Sequence, residues 1–137
     1  MRTALDTNVI SAIWSKEETV PVLLSKLERA SLEGGLVVCV PVWAELYAYP
    51  GITADGIESF LQSTGIDVEF EIHPAVWKES ALRYKSYSER RRRAGGNSPR
   101  RLLTDFVIGA HALLQADRLL TLDNGVYERN FPELLLL

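Results

Sequence analysis

The chain is 137 residues long, 47% hydrophobic and 24% charged, with a single cysteine and a net charge of −3. That length and balance fit one globular domain spanning 1–137, large enough to bury a core without staples. They exclude an internal disulfide framework, and no His/Cys zinc spacing occurs.

From the N-terminus, Thr3-Ala4-Leu5 reads as a short strand ending at Asp6, and Val9, Ile10 and Ile13 follow with helical spacing. A second helix starts at Thr19-Val20-Pro21 and stops at Gly34-Gly35. Leu36 to Val40 is a continuous apolar run, the pattern of a strand covered on both faces. Pro41 breaks that run, and Val42 to Tyr49 reads as a short helix. An amphipathic helix follows over 54–64, and Val68, Phe70 and Ile72 alternate with acids as a half-exposed strand. Pro74 opens a long helix that runs into the arginines, and Gly95-Gly96-Asn97-Ser98-Pro99 is a loop. Leu102 to Gln115 is a strongly apolar helix, Leu119 to Leu122 a strand, Asp123-Asn124-Gly125 a turn, and Leu134 to Leu137 a final core strand.

Strands alternating with helices predict an α/β fold, a three-layer α/β/α sandwich around a mainly parallel sheet. No segment is long and apolar enough to span a membrane, and Asp6 precedes any signal-like apolar stretch, so the expected location is the cytoplasm. Charge is unevenly spread. Residues 83–101 hold eight basic side chains against one acid, Glu89, a local surplus of +7 that leaves the rest of the chain at −10. Such asymmetry points to an anionic partner, although basic residues also suit a helix C-terminus.

Sites in open parallel sheets lie beyond the carboxyl ends of the strands. Asp6 and Asp123 each follow a strand directly, and Glu45 stands in the helix after the second one. Taken singly, each has a plain structural use: a helix cap, a solvent-facing residue, a turn residue. Asp105 is harder to dismiss, because it interrupts the apolar run 102–110, where an unpaired charge is costly. Arg101 is a candidate ion-pair partner at i, i+4, and small residues at Gly109 and Ala112 would leave an open wall beside the carboxylate. Four carboxylates brought together repel one another, by about 4 kcal/mol for a pair 4 Å apart at an effective dielectric near 20, unless a hard divalent cation joins them. His111 is offset from Asp105 by six residues, so it faces elsewhere on the helix. His111 and Cys39 are expected as structural residues.

The segments Leu5-Asp6-Thr7-Asn8-Val9, Pro41-Val42-Trp43-Ala44-Glu45-Leu46, Leu103 to Ala112 and Ala116 to Asp123 resemble, in order and spacing, the acid-bearing blocks of the PIN domain, and within it the VapC toxin ribonucleases. The resemblance implies endoribonuclease activity with Mg²⁺ or Mn²⁺. Asp6 and Asp105 would be the central metal ligands, Glu45 would bind metal or position its water, and Asp123 would complete the acidic ring. Asn8 and Thr121 would position these groups or the substrate. It also implies a homodimer and an inhibitory antitoxin partner. No family role attaches to the basic segment, but Arg100 and Arg101 lead into the Asp105 helix and are candidates for contact with the RNA backbone. Two other readings compete: a non-catalytic RNA- or protein-binding module of the same fold, and a receiver-like phosphoacceptor domain. The second lacks the acidic pair after the first strand and a late lysine, since the last lysine is Lys85.

Overall fold

The structure, a computed structural model, describes residues 1–97 and 100–137. Its strands are β1 (Thr3–Leu5), β2 (Leu36–Cys39), β3 (Ile66–Glu69) and β4 (Arg118–Leu120). They form one sheet in the order β3-β2-β1-β4, and every pairing is parallel. The helices are α1 (Thr7–Trp14), α2 (Val20–Glu33), α3 (Val40–Leu46), α4 (Ala54–Thr64), α5 (Pro74–Arg93), α6 (Leu103–Gln115) and α7 (Asn124–Asn130).

Every residue of β1, β2 and β4 is buried. Both faces of the sheet are therefore covered by helices, so these strands do not alternate apolar with polar; the two polar members, Thr3 and Arg118, are buried against each other, with Arg118 Nε donating to Thr3 Oγ1 at 2.8 Å. The chain steps outward from β1 to β2 to β3, then crosses back to lay β4 on the other side of β1. That reversal is a topological switch point, and a crevice opens there beyond the carboxyl ends of β1 and β4.

Several boundaries differ from the sequence reading. Pro41 does not break a run before a helix; it occupies the first turn of α3, which starts at Val40 and ends at Leu46. A proline there forfeits no hydrogen bond. The alternating acids and apolar residues at 68–72 are not all strand. β3 spans Ile66–Glu69, and Phe70 beyond it is 62% exposed. Asp123-Asn124-Gly125 is not a free turn but the entry to α7. The C-terminal leucines form no full strand; a single parallel bridge joins Leu119 to Leu136 at the outer edge of β4. Of the expected loop 95–99, Ser98 and Pro99 lie outside the described residues.

Candidate active site: a carboxylate cleft at the switch point

Asp6 leaves β1 as the N-cap of α1. Its Oδ1 accepts from the Thr7 amide at 2.8 Å. Its Oδ2 accepts from the Thr121 hydroxyl at 2.8 Å and the Tyr127 hydroxyl at 3.0 Å. The residue is buried at 6% exposure, and burial raises its carboxyl pKa despite these donors. A capping aspartate needs only the amide contact, so the two hydroxyls mark a carboxylate held in a set orientation.

Glu45 stands in the last turn of α3, and its Oε1 accepts from the Thr7 hydroxyl at 2.8 Å. Desolvation raises its pKa, and the Asp6 and Asp105 charges add to the rise. Asp105 occupies the first turn of α6, where its Oδ2 accepts from the Leu102 amide at 3.3 Å. Desolvation again leads its upward shift, with Asp6 and Asp123 contributing by repulsion and Arg101 opposing. The carboxylates thus feel one another across one crevice. Asp6, Glu45, Asp105 and Asp123 line a cleft of about 290 Å³, together with Thr7, Asn8, Ser11, Arg101 and Val126.

Two expectations about Asp105 need correction. It is half-buried rather than buried, in the first turn of the helix, where an acid is favoured by the helix dipole. Arg101 does not pair with it; the guanidinium Nη1 sits 2.7 Å from Asp123 Oδ2. The expected open wall at Gly109 is also filled. A Cβ there would lie 2.4 Å from the buried Phe131 ring, so the glycine serves close packing against the segment after α7.

Asn8 and Thr121 tie the strand ends together. Asn8 Oδ1 accepts from the Leu122 amide at 3.1 Å, while Thr121 Oγ1 accepts from the Asp123 amide at 3.0 Å as it donates to Asp6. Arg100 is exposed and does not line the cleft. His111 is buried on the far side of α6, with Nε2 2.8 Å from Glu69 Oε2. Cys39 is a core residue whose thiol pKa is pushed by burial up to about 12.

Sequence reasoning passed over Tyr127 and Thr7. Tyr127 stands 121 positions from Asp6, and no local pattern signals its contact. Burial and the Asp6 charge raise its phenol pKa, so it stays a donor. Thr7 was legible only as part of the first acid block.

The donor set suits a hard divalent cation. It consists of carboxylate oxygens with no thiol or imidazole, and Glu45 Oε2 and Asp105 Oδ1 carry no hydrogen bond within the described structure. Among the described residues, no group of three His, Cys, Asp or Glu side chains is placed to hold a metal ion. Mg²⁺ does not require one, because it keeps several waters and takes one or two carboxylates.

A parallel α/β sandwich with carboxylates gathered at its switch point defines the class by fold and site. Within that class, the chain belongs to the PIN domain family, whose model matches residues 3–132. Solved structures that share the fold include the following two. The VapBC2 structure from Rickettsia felis, bound to a DNA fragment from their promoter, aligns with TM-score 0.71 at 19% identity, covering 100% of this chain and 98% of that one. The VapBC-1 structure from nontypeable Haemophilus influenzae aligns with TM-score 0.65 at 22% identity, covering 100% and 97%. No curated protein matches. Among the described residues, no helix is long and apolar enough to cross a membrane.

Proposed function

We propose that the chain is a divalent-cation-dependent endoribonuclease, the toxin of a toxin–antitoxin pair. The observation that carries this reading is the convergence of Asp6, Glu45 and Asp105 on one cleft, each with its pKa raised by burial and by a neighbouring acid. A fold held together for stability alone gains nothing from such repulsion. Membership of the PIN family and likeness to two VapBC structures support the toxin reading and an antitoxin partner. A homodimer is the oligomeric state this reading entails, and light scattering tests it.

Asp6, Glu45 and Asp105 would hold Mg²⁺ or Mn²⁺, with Asp123 completing the acidic ring. Bound there, the cation supplies a Lewis acid for a phosphoryl oxygen and a source of hydroxide near neutral pH. The chain's own residues do the positioning. Thr121 and Tyr127 fix Asp6 Oδ2, and Thr7 fixes Glu45 against α1. Asn8 locks the β4 end to α1 through the Leu122 amide. Among the described residues, Arg101 is the one basic side chain lining the cleft, where it pairs with Asp123 and would meet a substrate phosphate.

Asp6→Asn and Asp105→Asn should each reduce RNA cleavage to background, and EDTA should do the same to the unaltered protein until Mg²⁺ is restored. Cleavage that survives chelation or either substitution would sink the metal mechanism. Thr121→Val, which removes a contact to Asp6 without removing an acid, should lower cleavage by about 10–100-fold.

A further inference from the structure

A second, larger cavity of about 600 Å³ adjoins the carboxylate cleft and shares Arg101 and Val126 with it. Its cationic lining comes from three parts of the chain: Arg90 and Arg91 near the end of α5, Arg101 before α6, and Arg129 in α7. No Asp or Glu is among its described lining residues. Arg91 donates to the Gly96 carbonyl at 3.0 Å. Arg90 donates to Asn130 Oδ1, and Asn130 is itself tied to the Val126 carbonyl at 2.7 Å, so the Arg90 guanidinium is held by a neutral anchor.

The contrast with Arg83, two turns earlier on the same face of α5, is informative. Arg83 pairs with Glu79 and Glu133 and its charge is balanced inside the fold. Among the described residues, Arg90 and Arg129 form no ion pair. Their positive charge is left for something outside the chain. The neighbouring cleft explains what. A strand cut at the carboxylate ring carries phosphates on either side of the cut, and those acids repel them. Guanidinium groups suit phosphate through paired N–H donors.

We infer that this arginine cavity seats the backbone of the RNA substrate next to the bond being cut, with Arg90 and Arg129 taking flanking phosphates and Arg101 marking the junction with the cleft. The inference rests on the nuclease reading and names how that site holds its substrate. An acidic segment of a protein partner is the rival occupant; continuity with the cleft favours the nucleic acid.

The test is direct binding, separated from cleavage. The full chain carrying Asp105→Asn is titrated against a fluorescent oligouridylate without divalent ions across a salt series. Adding R90A and R129A should weaken binding about tenfold at low salt and flatten the log–log salt slope by about 0.7 to 1.4, the contribution of one to two single-strand phosphate contacts. R90K with R129K should restore most of the slope, and thermal melting of each variant checks the fold. An unchanged slope in the alanine pair overturns the inference. So does polyglutamate binding with the same arginine dependence while the RNA shows none. If the unaltered protein cuts no RNA yet binding follows the arginines, the nuclease reading falls and the cavity assignment stands.

Discussion

Asp105, proposed as a metal ligand, is a carboxylate whose charge costs the fold stability. Its contact with the Leu102 amide needs only one acceptor oxygen, which an asparagine also supplies. The charge itself is opposed by desolvation and by Asp6 and Asp123. The folded-state pKa is raised, so the folded chain takes up a proton before the unfolded chain does. The penalty is therefore full above the folded-state pKa and relieved as pH falls through it. Asp105→Asn should raise the melting temperature at neutral pH by about 2–4 °C in EDTA, with the gain shrinking toward acid. Saturating Mg²⁺ should stabilise the unaltered protein and narrow or reverse the gap, since a ligand bound only by the folded state adds RT ln(1 + [L]/Kd). A variant less stable than its parent in EDTA would show that Asp105 is a structural cap after all. The sequence reading of the Asp105 helix, Leu102 to Gln115, falls within one residue of the observed Leu103–Gln115; what the apolar run overstated is burial, because Phe106, Val107 and Ile108 are buried while Asp105 in the first turn is half-buried.

Between elements, the packing of α6 against the C-terminal region decides much of the stability. The Phe131 ring lies where a side chain at Gly109 would project. Gly109→Ala should therefore destabilise the fold by about 1–3 kcal/mol, even though alanine is the better helix former. Denaturant melts decide this, and a stabilised variant would mean that the ring has room to move. Arg83 joins α5 to the same region, stacking 4.6 Å over the Phe131 ring while pairing with Glu133. That guanidinium holds the Glu133 carboxyl at a pKa of about 2. A depressed carboxyl pKa contributes stability above its unfolded value, which is lost as pH falls through about 2. Thermal melts of Glu133→Gln should then differ from the unaltered chain at neutral pH and converge with it at the acid end, by a modest amount because the pair is partly solvent-exposed. The helices α1, α2, α4 and α5 were legible from spacing and prolines because those signals are local. The limits of β3 were not, because exposed Phe70 carries the same alternation as the strand it follows.

At the scale of the molecule, the sequence showed the alternation of strands and helices but not the order β3-β2-β1-β4 that makes a switch point between β1 and β4. The acids were found by motif and strand-end position. Tyr127 was missed because its partner is far away in the chain, and Asp105 was the only ion-pair partner considered for Arg101 because i, i+4 spacing is visible while the fold that brings it to Asp123 is not. The basic run was visible as a charge imbalance; which of its members reach a cavity beside the cleft depends on how α5 and α7 meet. The brace on Asp6 also has a consequence during synthesis. Thr121 follows Asp6 by 115 positions and Tyr127 by 121, so a ribosome finishes the first acid long before it makes the hydroxyls that aim it. A nascent chain carries its first carboxylate without its clamp, and the cleft becomes whole only when the β4–α7 segment has emerged and docked. On the proposed ribonuclease reading, cleavage would therefore arise late in synthesis, after the β4–α7 segment has docked against Asp6.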